Sequence, residues 1–175
     1  MTKQLLRRDI RKLKGRFSSD ELHEMSDKVC KSILSDILWQ ESKTVLLYHS
    51  LSDEIDTSCL LVSALQEDKK VLLPVVCGEV LELREYSGKT KMGAYGIEEP
   101  VGPLFSSYDQ IELAIIPGMA FDKSYHRLGR GKGYYDRLLP LLSNAYKLGI
   151  CFPFQMMEEI PIEKHDVLMD NVVCQ

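Results

Sequence analysis

Apolar positions recur along this chain in two rhythms. Over residues 3–17, Leu6, Ile10, Leu13 and Phe17 follow at spacings of four, three and four, which predicts an amphipathic helix. Ser18, with Glu21 three residues on, predicts a capping box opening a second helix. Its buried stripe reads Leu22, Met25, Val29, Ile33 and Ile37, with Trp39 at its end. Asp56 or Thr57 is expected to cap a further helix carrying Leu60, Leu61 and Leu65. Between these lie short apolar runs rich in strand formers: Val45 to Tyr48, Val71 to Val76, Val80 to Tyr86, Leu113 to Ile116, Lys147 to Phe152 and Val172 to Cys174. Pro74 removes a ladder donor, so the second run is expected near a sheet edge or at a strand end. Residues 87–109 hold four glycines and two prolines and read as irregular surface. Helices alternating with buried strands predict an α/β protein, a single domain over residues 1–175. Its sheet should be mostly parallel with helices on both faces, a Rossmann-like three-layer arrangement.

One stretch breaks both rhythms. Arg127 to Arg137 reads RLGRGKGYYDR, with Gly129, Gly131 and Gly133 alternating with Arg130 and Lys132. Glycines at alternate positions free the backbone for φ > 0 and for close approach to a ligand. Such a loop opening into a helix presents backbone N–H groups to an anion. Arg130 and Lys132 add charge there, and Asp136 offers a hard oxygen suited to Mg²⁺. The competing reading is a flexible glycine turn with solvated cations. The spacing matches neither G-x-x-x-x-G-K-[ST] nor G-x-G-x-x-G. The helix after Gly133 should stop or kink at Pro140 after about two turns.

Charge sharpens this picture. Residues 1–16 carry seven cations and one acid (+6), and residues 123–137 five cations and one acid (+4). Against a net charge of −4, that leaves −14 on the remainder. Two positive islands on an acidic body point to a discrete anionic ligand rather than a long polyanion. Lys3, Arg7, Arg11 and Lys14 share one face of the first helix; that face is either solvated or reaches phosphates with its first turn. The loop after the first strand offers Glu54, which is suited to a donor-rich heterocycle or is a plain surface carboxylate. Met92 and Tyr95 lie in the long irregular segment, where an aromatic can stack on a flat ligand or simply pack. Five cysteines without a CxxC pair suggest free thiols in a reducing cytoplasm and no structural zinc. No apolar run reaches membrane-span length, and the basic first residues lack the apolar core of a secretory signal.

Taken in order, these residues resemble the 5-formyltetrahydrofolate cyclo-ligases. The resemblance runs through Lys3-xxx-Arg7, Asp53-Glu54-Ile55, Leu73-Pro74-Val75, Glu99-Pro100, Pro117 to Asp122, RLGRGKGYYDR, Gln155, and Ile160-Pro161 followed by His165-Asp166. It departs at Tyr125, where the family usually has glycine, and Pro140 is unusual. The resemblance implies ATP- and Mg²⁺-dependent conversion of 5-formyltetrahydrofolate to 5,10-methenyltetrahydrofolate, with ADP and phosphate released. Phosphorylation of the formyl oxygen makes it a leaving group, and N10 closes the ring. By the same resemblance Lys3, Arg7 and Arg127 through Tyr135 would hold the nucleotide, with Arg130 and Lys132 catalytic. Asp136 and Asp166 would hold Mg²⁺, and Glu54, His49, Met92, Tyr95 and Tyr134 would line the folate pocket. The expected partner is 5-formyltetrahydrofolate, with or without a polyglutamate tail, and neither nucleic acid nor membrane; a cytoplasmic monomer is expected. A small-molecule kinase and a non-catalytic nucleotide or RNA binder are the alternatives.

Overall fold

The computed structural model describes residues 2–93, 96–164 and 166–175. Tyr95 and His165 therefore lie outside the described residues.

The first helix, α1 (Lys3–Lys14), is capped by Thr2, whose Oγ1 accepts from the Leu5 N–H at 3.3 Å. It buries Leu6 and Ile10, while Phe17 falls past its end and stacks on Phe154 with ring centroids 4.5 Å apart. The second helix, α2 (Ser19–Leu34), opens on the expected capping box, with Ser18 N–H donating to Glu21 Oε2 at 2.8 Å. It ends earlier than its stripe suggested. Asp36 caps a separate short helix, α3 (Ile37–Glu41), by accepting from the Leu38 N–H at 2.8 Å. Ile37 is consequently exposed, whereas Trp39 is buried. An aspartate that bonds a free N–H two residues on competes with helix continuation.

After β1 (Thr44–Leu46) comes α4 (Ser58–Gln66). Thr57 stands at its N-cap position, but its hydroxyl donates to the Tyr48 carbonyl. Asp56 Oδ1 instead accepts from the Ser58 N–H at 2.9 Å. The chain continues as β2 (Lys70–Cys77) and β3 (Val80–Tyr86), then β4 (Thr90–Met92), β5 (Glu98–Pro100) and β6 (Leu104–Phe105). The described residues of 87–109 thus hold three short strands rather than uniformly irregular surface. Next come β7 (Leu113–Pro117), β8 (Ala120–Asp122), β9 (Arg127–Leu128), α5 (Tyr134–Leu138), β10 (Tyr146–Cys151), β11 (Met156–Met157) and β12 (Asn171–Cys174). α5 yields to a 3-10 turn at Leu139–Leu141, as Pro140 requires.

Seven strands form one sheet in the order β12-β10-β7-β1-β2-β3-β6. The four pairings from β12 to β2 are parallel and the two beyond are antiparallel, so the α/β expectation of a mostly parallel sheet holds. Alternate residues of β7 face opposite layers. Leu113 and Ile115 pack with α2, α3 and α4; Ala114 and Ile116 pack with Leu138, Leu139 and Leu142. β2 is internal, not an edge. Its pairing with β1 stops at Leu72, whose carbonyl accepts from Leu47 N–H. Pro74 points to the same side two residues later, where β1 has ended and no donor is needed.

A smaller sheet, β11-β8-β9, holds the glycine-rich stretch. α1 packs on it: Leu6 and Ile10 cluster with Met119, Ala120, Leu128 and Ile160. Burying two such side chains contributes about 1.5–3 kcal/mol each. That apolar seam carries the cationic face of α1 to the glycines. The turn between β8 and β9 holds Tyr125 at φ +67°, a left-handed conformation that glycine adopts without strain.

Candidate active site

The structure brings the two positive islands together. Arg7 Nε donates to the Gly129 carbonyl at 2.8 Å. Gly131, at φ +96°, lies so close that a Cβ there would stand 3.3 Å from Arg7 Cζ. Gly133, at φ +70°, precedes the five residues of α5. The helix after the loop is therefore short.

Two hollows flank this loop. The first is a cleft of about 440 Å³ at the carboxyl ends of the parallel strands, where α/β sheets place ligands. Tyr48 and His49 follow β1 into it, Leu73 and Pro74 come from β2, and Pro117 and Gly118 close β7. Of the other expected residues, Glu54, Arg127, Arg130, Lys132, Tyr134 and Tyr135 line it too, and Ile97 and Glu98 form a wall the sequence did not single out. The second hollow lies over the first turn of α1, between Lys3, Gln4 and Arg7 on one side and Pro161 to Glu163 on another. Gly131, Gly133 and Asp136 line both.

Several side chains are engaged in ways the sequence could not give. Arg127 is buried beneath the loop, donating to Pro117 O at 3.2 Å and Asp136 Oδ1 at 2.8 Å, with its guanidinium 5.2 Å over the Tyr135 ring. Burial pushes the Tyr135 phenol pKa up. Tyr134 donates its hydroxyl to Gly78 O at 3.3 Å, with Arg137 over its ring. Lys3 Nζ sits 2.7 Å from Asp166 Oδ2 and 3.2 Å from Glu163. Asp166 also accepts from the Glu163 N–H at 2.7 Å. Arg130 reaches across to the other loop, with Nε 3.0 Å from Glu54 Oε1 and Nη2 on Asp53.

His49 is half-buried, and its Nε2 is a buried polar atom without a hydrogen-bond partner among the described residues. Burial lowers its pKa, with Glu98 pulling the other way, so the ring is neutral at pH 7. Met92 does not reach the cleft: it is 70% exposed on β4, opposite Glu98 of β5. Its strand partner Glu98 and the neighbouring Ile97 supply the wall instead. Tyr95 cannot be placed with it, being outside the described residues. Lys14 was expected on a solvated or phosphate-facing stripe; its side chain is only 6% exposed and donates to Asp53 O at 2.5 Å. Its burial arises from long-range packing, which spacing does not report.

Among the described residues no three His, Cys, Asp or Glu side chains gather to hold a metal ion alone. Mg²⁺ usually takes one or two carboxylates and completes its shell with phosphate oxygens and water. Asp136, lining both hollows, fits that mode. Among the described residues no helix is long and apolar enough to cross a membrane.

A model of the 5-formyltetrahydrofolate cyclo-ligase family matches residues 1–175. A probable 5-formyltetrahydrofolate cyclo-ligase of Schizosaccharomyces pombe is 31% identical, over 99% of this chain and 95% of its own. The 5-formyltetrahydrofolate cyclo-ligase of Haemophilus influenzae is 30% identical, over 98% and 96%. Among solved structures, the 5,10-methenyltetrahydrofolate synthetase of Aquifex aeolicus superposes with a TM-score of 0.88 at 33% identity, covering 99% of this chain and 90% of that one. That of Mycoplasma pneumoniae gives 0.80 at 25%, covering 98% of each.

Proposed function

The chain belongs to the 5-formyltetrahydrofolate cyclo-ligase family, and we propose that it converts 5-formyltetrahydrofolate to 5,10-methenyltetrahydrofolate at the expense of ATP with Mg²⁺. The observation that carries this reading is the shared wall. One glycine loop, bonded to α1 through Arg7 and Gly129, separates a hollow over Lys3 and Arg7 from a larger cleft whose apolar walls also carry Glu54, Arg130 and Lys132. A triphosphate and a flat heterocycle need those two environments side by side.

On this reading Lys3, Arg7 and the backbone of Gly129 to Gly133 would hold the nucleotide phosphates, with Asp166 keeping Lys3 in place. Arg130 and Lys132 would face the transferring group and neutralise charge as it develops, which is most of what phosphoryl transfer asks of a protein. Arg127 would support the loop from beneath by fixing Asp136 and Tyr135. Glu54 would accept hydrogen bonds from the pterin, with His49, Tyr134 and Tyr135 along the cleft. ATP with Mg²⁺ bound supplies a γ-phosphoryl group for the formyl oxygen, and Asp136 is the carboxylate suited to the metal. N10 and the formyl carbon belong to one molecule, so for ring closure the cleft would need only to hold them in the reactive orientation. One chain carries all these residues, which supports a monomer acting alone.

The test is an assay with ATP, Mg²⁺ and 5-formyltetrahydrofolate, reading the methenyl chromophore and free phosphate together. One phosphate per methenyl group is expected, and none of either without the folate. A stable phosphorylated product in place of free phosphate would contradict the reading.

A further inference from the structure

Two charged residues at the edge of the cleft have no role in the reading above. Lys14 closes α1, and its Nζ donates to Asp53 O at 2.5 Å and lies 3.4 Å from Asp53 Oδ2. On its other side the Asp53 carboxylate takes Arg130 Nη2 on Oδ1. That nitrogen is also 2.9 Å from Glu54 Oε1, the oxygen that accepts from Arg130 Nε. Glu54 Oε2 accepts from the Leu51 N–H at 3.0 Å. Four charges therefore alternate in sign, from a buried ammonium to the cleft: Lys14, Asp53, Arg130, Glu54. Burial lowers the Lys14 pKa and the Asp53 charge opposes it; Asp53 itself stays below the usual carboxylate range because Arg130 and Lys14 outweigh its burial.

The last two members are those assigned above to phosphate and heterocycle, and they are bound to each other. A heterocycle that donates to Glu54 must take Oε1 from Arg130. A guanidinium stripped of its carboxylate loses charge-assisted hydrogen bonds, and even for a side chain 36% exposed those to water are weaker. Asp53 prevents that loss, because its Oδ1 stays on Nη2, the nitrogen it shares with Glu54 Oε1.

We propose that Asp53, set in place by Lys14, is a positioning residue that keeps Arg130 at the nucleotide side when the folate takes Glu54. This rests on the folate reading of the cleft. Its consequence is that the folate can bind before the nucleotide, because Arg130 always retains an anion. Without the Asp53 charge, only the triphosphate can replace Glu54 as partner, and folate binding becomes nucleotide-dependent.

The experiment is calorimetric titration of 5-formyltetrahydrofolate into the full chain, with and without a saturating non-hydrolysable ATP analogue and Mg²⁺. Asp53→Asn is expected to weaken folate binding about tenfold without nucleotide and to stay within about twofold of the unsubstituted protein with it, a coupling of ordinary size. Asp53→Glu is expected to restore nucleotide-independent binding. Lys14→Met is expected to give the same pattern as Asp53→Asn, and an equal loss in both states removes Lys14 from the proposal. A purely scaffolding Asp53 weakens folate equally with and without nucleotide, and that result, or no loss at all, overturns the proposal. If the unsubstituted protein takes up no 5-formyltetrahydrofolate, the folate reading falls, and this assignment with it.

Discussion

Arg7 and Gly129 stand 122 residues apart in the chain, yet the Arg7 guanidinium donates to the Gly129 carbonyl at 2.8 Å. This contact joins the basic face of α1 to the glycine loop. It follows from packing, because Leu6 and Ile10 on the same helix are buried against β8 and β9. Arg7→Ala removes a charge from the second hollow while leaving that seam intact. Its kcat/KM for ATP is expected to fall about 100-fold, with the melting temperature little changed, since one charge contact to a transition state is worth ~3 kcal/mol. Steady-state kinetics at varied ATP checks this; a change confined to the folate KM would place Arg7 elsewhere.

Lys132 is exposed on the loop and lines the cleft. Lys132→Ala is expected to lower kcat by two to three orders of magnitude, a typical cost of losing one electrostatic donor. Circular dichroism should be unchanged. Turnover near that of the unsubstituted protein would remove Lys132 from the chemistry.

Asp122 sits behind the loop, 1% exposed, at the end of β8. Burial alone would raise its pKa, but hydrogen bonds from the Ile160 N–H at 2.9 Å, the His126 N–H at 3.0 Å and the His126 ring hold it below the ordinary 3.8. A carboxyl with a depressed folded pKa adds stability that is fully present above its unfolded value and is lost as pH falls through its folded one. Denaturant unfolding should therefore show stability dropping below about pH 4. Asp122→Asn should cost about 2 kcal/mol near neutrality, in the range for hydrogen bonds to a charged group, and flatten that acid slope. An unchanged slope in the variant would assign the acid sensitivity to other carboxylates.

Tyr125 occupies a left-handed position at φ +67° and is 42% exposed. Strain of about 1–2 kcal/mol is partly offset by the looser unfolded chain that glycine brings, ~0.5–1 kcal/mol. Tyr125→Gly is expected to stabilise the protein slightly, raising the melting temperature by about 1–3 °C for a chain of this size. Scanning calorimetry checks it, and a fall of several degrees would show that the ring's contacts outweigh the backbone strain.

Local signals carried the architecture. The capping box at Ser18 and Glu21, the α1 stripe through Leu6 and Ile10 and the apolar runs each depend on neighbours a few residues away, and each has its helix or strand within a few residues of the expected bounds. Where a second local signal competed, the outcome shifted, as at Asp36, which starts α3 and leaves Ile37 exposed. The glycine loop stood out because it breaks both apolar rhythms. The bonding around it did not. Arg127, read as a nucleotide contact, is engaged beneath the loop, and Lys14, read as part of a face, is buried against Asp53. Both depend on partners brought in by the fold. Met92 was read from its place in a glycine-rich segment, and the β4–β5 ladder that holds it has three paired positions, too few for a visible alternation.

The most direct measurement is a crystal structure of the protein with a non-hydrolysable ATP analogue, Mg²⁺ and 5-formyltetrahydrofolate. The expected result is a triphosphate between Lys3, Arg7 and the loop from Gly129 to Gly133, with the pterin within hydrogen-bond distance of Glu54 across that loop. A triphosphate seated away from α1, or a pterin outside the cleft, would contradict the account.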